Sequence, residues 1–289
     1  NTLKYGNRTG GGGWATQVVD GPFSGEITCT SIAVDSSGNP HISYYDSANG
    51  ILKHVYWDGI GTWIKEDVDT GNTGYYNSIR IDTLGNPHIA YRKYDATAAF
   101  KYSLKYAYWN GSQWVKQTIP DTTADVGNYA SLRLDSNNLP RICYKEFTNN
   151  ALKYAAFNGT TWNIQTVDQE TDGNLGGFCS LALDSADNPY ISYRDAVNFY
   201  LKCVYNKGAG WIKANVDTVG ITGYYTSITI GTDNLPQISY CDAIGGNYQN
   251  LKYAKFNGSG WDKKTLDTGG VGAFTSIAAD TSGAFPSNF

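Results

Sequence analysis

The chain contains no methionine and only four glutamates among its 289 residues, whereas it has 33 glycines, 23 tyrosines and 8 tryptophans. Helices are normally filled with Glu, Lys, Leu, Ala and Met, while aromatic residues with frequent Gly are typical of strands and tight turns. The composition therefore predicts an all-β protein. Charged residues make up 17% of the chain and hydrophobic residues 41%, which excludes a disordered tail and permits a buried core.

Long apolar runs, clustered positive charge and cysteine pairs are also missing. No run approaches the roughly 18 apolar residues of a membrane-spanning helix, so we predict no membrane span. A net charge of −4 and a pI near 5.3 argue against a nucleic-acid partner. The odd number of cysteines, without a C-x-x-C pair, argues against a disulfide framework or a zinc site. No D-x-D-x-D-G calcium loop occurs, so we predict neither a metal nor a cofactor. The five cysteines are expected to be buried free thiols: Cys29, Cys143, Cys179, Cys203 and Cys241.

One unit of about 50 residues recurs along the whole chain, which is the signature of a repeat architecture. Its anchor is a serine that opens a short strand pattern, with separations of 47, 53, 49, 47 and 49 residues: Ser31, Ser78, Ser131, Ser180, Ser227 and Ser276. A Leu-Lys pair, a later Trp and a terminal Asp follow the same period. In the first repeat these are Leu52-Lys53, Trp63 and Asp69.

Each unit contains four strand-length segments, which we call strands A to D. In the first repeat, strand A is predicted at residues 30–35, B at 41–45, C at 52–57 and D from Trp63 onward. Asn-Gly or Asp-Gly turns join C to D, and these dipeptides are the strongest short-range hairpin signal. Four antiparallel strands in such a period are typical of one blade of a β-propeller.

The two ends of the chain predict how the propeller closes. The last repeat holds only strands A and B, while residues 1–20 supply strands C and D, so the fragments together make one blade. We therefore predict a single six-bladed β-propeller, closed by its termini, because closure removes exposed strand edges. The predicted blades are residues 21–69, 70–121, 122–168, 169–217, 218–267, and 268–289 together with 1–20.

The C–D hairpins resemble a known family motif. Asn110-Gly111-Ser112-Gln113-Trp114 is similar to a relaxed Asp-box of the sialidase-type BNR propellers, in which a turn is followed by a packed aromatic residue. The whole repeat also resembles tandem propeller repeats of secreted bacterial and archaeal proteins. This chain lacks the leading Ser/Thr-x-Asp of the box, and most copies carry Asn in place of Asp. The resemblance implies a propeller fold, which can host many unrelated functions.

Binding residues are expected where the repeats differ, on the face of the D–A and B–C loops. An aromatic residue or its substitute lies two positions before each anchor serine, among them Tyr76 and Tyr129, and forms either a packing ring or a stacking platform. Arg80 and Arg133 replace small residues two positions after the serine. They are expected either to pair with the nearby Asp82 and Asp135 or to form a cationic pocket between blades 2 and 3. The ends of strand B add further candidates: Arg92, Lys93, Lys145, Glu146 and Arg194.

Four asparagines in C–D hairpins lie in Asn-x-Ser/Thr sequons: Asn7, Asn110, Asn158 and Asn257. They are candidates for N-glycosylation on one face of the protein. The alternative is that Asn-Gly-Ser is only good turn chemistry.

A sialidase-like enzyme would need three arginines on a carboxylate, a Tyr nucleophile with a Glu partner, and a proton donor. The four glutamates are Glu26, Glu66, Glu146 and Glu170, of which only Glu146 falls on the candidate face. No motif identifies a pair of catalytic carboxylates, so no catalytic residue is assigned. The three histidines, His41, His54 and His88, are expected to be structural.

We therefore predict a non-catalytic recognition or assembly module that binds a glycan or another extracellular protein. The start at Asn1, with neither an initiator nor a signal segment, is read as a mature chain or excised domain of a secreted or cell-surface protein. Two alternatives stay open: a sialidase-like hydrolase or lyase, and a structural unit of an extracellular filament or surface layer.

Deleting residues 1–20 tests the predicted closure. The deletion removes strands C and D of the shared blade and leaves the edge of its strand B unpaired, so the product should aggregate or melt at a much lower temperature. Thermal unfolding followed by circular dichroism measures this, and an unchanged transition would refute the shared blade.

Overall fold

The computed structural model describes residues 1–122, 124–169, 176–244 and 247–279. They contain 22 β-strands and no helix. The predicted all-β architecture of repeated four-stranded antiparallel units is confirmed. Glu170 and the predicted last strand of the sixth repeat lie outside the described residues.

The chain divides into two compact units, Asn1–Thr123 and Ala124–Phe289. The first unit holds one two-stranded and two four-stranded sheets. Its strands are β1 (Leu3–Arg8), β2 (Trp14–Asp20), β3 (Ile27–Val34), β4 (Pro40–Asp46), β5 (Ile51–Trp57), β6 (Trp63–Asp69), β7 (Thr73–Ile81), β8 (Pro87–Tyr94), β9 (Tyr102–Trp109) and β10 (Trp114–Thr118).

The second unit holds three four-stranded sheets. Its strands are β11 (Val126–Leu134), β12 (Pro140–Glu146), β13 (Ala151–Phe157), β14 (Trp162–Gln169), β15 (Gly177–Leu183), β16 (Pro189–Asp195), β17 (Tyr200–Asn206), β18 (Trp211–Asp217), β19 (Ile221–Ile230), β20 (Pro236–Ile244), β21 (Asn247–Phe256) and β22 (Trp261–Asp267).

Each sheet pairs its strands in chain order, so strands A to D of the first complete repeat are β3 to β6. The incomplete repeat is represented by β1 and β2, which pair with each other as its strands C and D. Residues 268–279 form no strand. The closure of the termini stays a prediction.

The hydrophobic core lies between consecutive sheets and explains three of the recurring residues. The Leu of the Leu-Lys pair, the Val before the terminal Asp and the apolar residue after the anchor serine of the next sheet pack together. In the second unit one such trio is Leu152, Val167 and Leu181, each almost fully buried. Because strand side chains alternate between faces, the Lys of the pair points away from this cluster.

The terminal Asp of strand D is a polar latch between consecutive sheets. Asp217, at the end of β18, is buried and accepts hydrogen bonds from Tyr240 Oη (2.8 Å), Lys252 Nζ (2.8 Å) and Lys263 Nζ (3.1 Å) of the next sheet. Asp69 receives the corresponding Tyr91 and Lys105 at 2.8 and 2.6 Å. The recurring strand-B Tyr is thus the partner of the Asp in the preceding repeat, joined in these two sheets by the strand-C Lys.

Burial alone would raise the pKa of Asp217, but the hydrogen bonds from Lys252, Tyr240 and Lys263 outweigh it and hold the pKa below its usual value. A carboxyl whose pKa is lowered on folding stabilises the protein above its unfolded-state pKa. That stabilisation is lost as the pH falls through the lowered pKa. The latch is therefore fully formed at neutral pH and weakens only in strong acid.

Two further hydrogen bonds between sheets involve the anchor serine and the residue immediately before it. The serine Oγ accepts a hydrogen bond from a backbone amide of the next sheet, as Ser180 does from Ile228 N at 3.2 Å. The preceding residue bonds strand B of the sheet before it, as Thr226 Oγ1 does to Ser192 Oγ at 2.8 Å. Both contacts bring strand A of one repeat close to the repeat before it.

One repeat earlier, two cysteines replace these hydroxyl residues. Cys143 is equivalent to Ser192, and Cys179 is equivalent to Thr226. Cys179 Sγ donates to Tyr129 O at 3.1 Å, and burial raises the pKa of its thiol well above the usual value. All five cysteines are free thiols, and four of them are buried, with Cys29 half-buried.

Replacing Tyr240 with Phe should lower the free energy of unfolding by about 1.5–3 kcal/mol, because a hydrogen bond to a buried carboxylate is lost. Tyr205→Phe is a matched control, since this half-buried ring stacks on Tyr190 and Phe retains that contact. Urea unfolding measures both variants. Equal stability of the two would show that the latch contributes nothing.

Candidate functional site

The strand register separates the sequence-derived candidates into two groups. Arg80 lies opposite His88 and Arg133 opposite Arg141, next to the A–B turns. Arg92 lies opposite Tyr75, four residues beyond His88 along the same strand. At about 3.3 Å per residue this separates the two arginine positions by about 13 Å. Arg80 and Arg133 therefore lie near the A–B turns, and the expectation that they lie at the D–A and B–C loops was wrong.

Neither Arg80 nor Arg133 forms the carboxylate pair considered from the sequence. Arg133 Nη1 donates to Leu132 O at 2.8 Å, while Asp135 pairs with Arg141 at 2.6 Å. Arg80 Nη1 likewise donates to the backbone oxygen of Ile79 at 2.5 Å. Burial lowers the pKa of the Arg133 guanidinium to about 10. Asp135 also caps the A–B turn, because its Oδ1 accepts hydrogen bonds from the amides of Asn137 and Leu139.

The second group of candidates lies at the D–A and B–C loops, where strand B ends. The residue after the strand-B Tyr points to the opposite side of the sheet from that Tyr, because side chains alternate. Across the five complete sheets this position holds three cations and two uncharged residues: Tyr45, Arg92, Lys145, Arg194 and Cys241. We call it the strand-B end position.

In the first unit, Arg92 is surrounded by tyrosines. Its guanidinium carbon lies 4.1 Å from the ring centre of Tyr102, 4.9 Å from Tyr76 and 5.3 Å from Tyr75. Such distances are those of cation–π contacts. Burial lowers the pKa of Arg92. Lys93 follows on the other side of the strand, half-buried and opposite Thr73.

In the second unit, Lys145 and Arg194 occupy the strand-B end positions of neighbouring sheets. They are 4% and 9% exposed. The Lys145 ammonium lies 5.5 Å from the ring centre of Phe147, and the Arg194 guanidinium lies 4.1 Å from Tyr224 and 5.7 Å from Phe199. Burial lowers the pKa of Lys145, and the nearby charge of Arg194 lowers it further. Two buried cations thus act on each other in this unit.

The carboxyl groups beside these cations hold the B–C loops. Glu146 accepts from Asn149 N at 2.7 Å and Asn149 Nδ2 at 2.9 Å, using both of its oxygens. Asp195 does the same for Asn198 and also pairs with Lys202 at 2.6 Å. Glu146 is therefore a loop cap at a position where other sheets carry Asp, and this role was not visible from the sequence pattern alone.

The residues two positions before the anchor serines lie at bulges in strand A of the five complete sheets, and all six positions have positive φ. The angles lie between 49° and 59° at Cys29, Tyr76, Tyr129, Phe178, Tyr225 and Phe274. In the second unit the rings form a continuous row, with Tyr129–Phe178, Phe178–Tyr225 and Tyr225–Phe274 centres 4.8, 4.7 and 4.3 Å apart. These contacts favour the packing interpretation for Tyr129.

Two exposed phenylalanines stand beside the cations of the second unit, and the sequence reasoning missed both. Phe147 is 58% and Phe199 46% exposed. Phe199 has φ of 62°, in the left-handed region, and the equivalent loop residues of other sheets are Gly50 and Asn150. Gly and Asn adopt this conformation readily, whereas a bulky residue is strained there. The signal available in the sequence was a Phe where the repeat has Gly or Asn.

Two of the three histidines form a buried chain in the first unit, while His88 contacts Tyr106 and Asp82. His41 Nδ1 lies 3.1 Å from His54 Nε2, and His54 Nδ1 lies 3.0 Å from Glu66 Oε2. Burial, with the neighbouring His54, lowers the pKa of His41 to about 4. Within the described part of the chain, no three His, Cys, Asp or Glu side chains are placed to share a metal ion.

The sequon asparagines of the complete sheets shape their hairpins and are exposed. Asn110 Oδ1 accepts from Ser112 N and Gln113 N, and Asn158 and Asn257 make the equivalent contacts. Turn chemistry therefore explains their recurrence, and glycosylation stays a prediction.

No family model and no curated protein matches the chain. Solved structures do. AofleA from Arthrobotrys oligospora matches with a TM-score of 0.60 at 16% identity, covering 94% of this chain and 80% of that one. Aleuria aurantia lectin, solved with a fucosylated disaccharide, matches with a TM-score of 0.59 at 15% identity, covering 94% and 90%. A Hadza microbial sialidase matches with a TM-score of 0.58 at 10% identity over 84% of this chain and 59% of its own.

If the protein passes through a glycosylating secretory pathway, sugar should be attached at Asn7, Asn110, Asn158 and Asn257. Mass spectrometry of protein secreted from such a host measures this, with the four Asn→Gln variants as controls. A mass equal to that of the bare polypeptide would contradict the prediction.

The described residues include no helix that could cross a membrane. The matched structures are six-bladed β-propellers, and at identities of 10–16% the likeness concerns the fold alone. The chain has the fold of a six-bladed β-propeller.

Proposed function

We propose that this protein is a non-catalytic recognition module that binds glycans at the strand-B end positions. The observation that carries the proposal is the cation at this position in three sheets, each beside aromatic rings at the D–A and B–C loops. Aromatic faces stack on sugar rings, while a guanidinium or ammonium donates hydrogen bonds to hydroxyl or acidic oxygens.

The proteins with this fold support a glycan ligand. Besides the sialidase, they include a lectin in complex with α-methyl-L-fucoside, an ulvan lyase and an α-L-arabinofuranosidase. Binding and cleavage of glycans both occur on the fold, so the fold does not choose between them. The choice rests on the side chains of this chain.

The carboxyl groups favour binding over cleavage. Glycoside hydrolysis generally needs two carboxyl groups about 5–10 Å apart, one on each side of the scissile bond. Glu146 and Asp195 are adjacent to the cations, but both oxygens of each carboxylate accept hydrogen bonds from the asparagine of its own B–C loop. We therefore propose a binder, and an extracellular or cell-surface setting in which it would meet glycans.

A glycan array and a turnover assay on the same oligosaccharides test the proposal. The wild-type chain should bind at least one glycan class without cleaving it. Arg92→Gln should weaken binding to a glycan held in the first unit by about 10- to 150-fold, which corresponds to the 1.5–3 kcal/mol of a charged hydrogen bond.

Arg80→Gln is the matched control, because it removes the same charge from the same pair of strands at their other end. It should leave binding unchanged. Failure of the folded wild-type chain to bind any glycan would overturn the proposal. Turnover that disappears in Glu146→Gln would instead establish the hydrolase or lyase alternative.

A further inference from the structure

Two buried histidines of the first unit form a hydrogen-bonded pair that neither the latch nor the proposed glycan site uses. His41 is 6% and His54 1% exposed, and they lie on the neighbouring strands β4 and β5. His54 also contacts Glu66 on β6, and Glu66 Oε2 accepts a hydrogen bond from Trp114 Nε1 of β10 at 3.2 Å. Because β10 belongs to the next sheet, the chain of contacts from His41 to Trp114 connects two sheets.

The hydrogen bonds fix where the protons of this pair lie. The bond from His54 holds the pKa of Glu66 below its usual value, so Glu66 is a carboxylate, which only accepts. His54 Nδ1 therefore carries a hydrogen, and His54 Nε2 accepts the hydrogen of His41 Nδ1. This leaves His41 Nε2 as the one nitrogen that can gain a proton while the bond between the rings stays. A second proton would place two hydrogens between the rings and break that bond.

The groups around the pair act on its charge in opposite directions. Asp35 Oδ2, in the A–B turn, lies 3.9 Å from His41 Nε2, and together with Glu66 it favours the protonated ring. Burial disfavours the charged form and lowers the pKa of both histidines, that of His41 to about 4. The ring of Tyr56 stacks on both, with centres 5.2 and 5.4 Å away, and stays neutral because burial raises its pKa.

The lowered pKa values make the stability of the first unit depend on pH. In the unfolded chain, histidines take up a proton near about pH 6.5. Between about pH 6.5 and about pH 4 the folded pair therefore binds fewer protons than the unfolded chain. The contribution of the pair to stability is complete above this interval and is lost as the pH falls through it.

We propose that the His41–His54 pair is an acid-sensitive switch in the contact between the sheet of β3–β6 and the sheet of β7–β10. Acid protonates both rings, which repel each other and separate. Because His54 and Trp114 lie on the same oxygen of Glu66, displacement of His54 weakens the bond to Trp114 as well. The switch is independent of the proposed glycan binding, since His41 lies beside the A–B turn, at the other end of β4 from the strand-B end position.

The sheet of β19–β22 carries a pair at the equivalent positions that lacks histidine. Gln237 and Tyr253 replace His41 and His54 there, and Tyr253 Oη donates to Gln237 Oε1 at 3.0 Å. The double variant His41→Gln with His54→Tyr should therefore keep a hydrogen bond between the two strands and lose the acid sensitivity.

Thermal unfolding of the full chain, followed by circular dichroism at constant ionic strength, compares the two proteins. Between about pH 7.5 and about pH 5 the melting temperature of the wild type should fall by about 5 °C more than that of the double variant. His88→Gln is the matched control, because it removes another buried histidine of the first unit and leaves the pair intact. It should keep most of the fall. Equal falls in the wild type and the double variant would overturn the switch.

Nuclear magnetic resonance of the folded wild type tests the switch without a stabilised variant. The imidazole signals of His41 and His54 should be those of neutral rings at about pH 6 and should change only towards about pH 4. The indole N–H signal of Trp114, assigned by its loss in Trp114→Phe, should move with the same midpoint. Titration of both imidazoles near about pH 6.5, or an indole signal that does not follow them, would overturn the proposal.

Discussion

The hydrogen bonds to the buried aspartate at the end of strand D, seen at Asp69, Asp168 and Asp217, are the interactions on which the repeat depends. The aspartate is a charge removed from water, so it must receive strong donors from the neighbouring sheet. Asp217 receives a tyrosine hydroxyl and two ammonium groups, and Asp168 receives Tyr193 and Lys213. Each sheet thus fixes the identity of residues in the next one. A repeat that lost its Asp would leave buried donors without an acceptor.

This constraint explains which positions are free to vary. The strand-B Tyr and the anchor serine bond a neighbouring sheet, while the Leu packs in the core between sheets. The strand-B end position takes no part in the latch, because it points to the other side of the sheet from the Tyr. It can therefore be Tyr45 in one sheet, Arg92 in another and Cys241 in a third without loosening the repeat. Binding residues are expected at positions whose side chains do not bond the buried Asp, which are the strand-B end position and the B–C loop beyond it.

The sequence predicted the fold well because its signals were periodic. Strand D was placed at Trp63 and the structure begins it there, and strand B was placed within one residue of its observed ends. The candidate site was predicted less well. Arg80 was assigned to the wrong end of its strand because residue spacing along strand A does not show the bulge and register that set its height in the sheet. Glu146 stood out only as a rare residue, and its bonds to Asn149 show it to be a substitute for the loop-capping Asp.

The contrast between Asn150 and Phe199 shows that the repeat accepts different side chains in a B–C loop without a change of backbone conformation. Both residues have the same left-handed conformation at the same point of the B–C loop, so the backbone is set by the repeat. Exchanging Asn for Phe at that point puts a large ring beside Arg194 but leaves the loop's hydrogen bonds, from Asn198 to Asp195, in place. The strain is confined to one residue at the surface. Changes in the loops therefore leave the latch and the core between the sheets unaltered. Each sheet can carry different loop side chains on the same backbone.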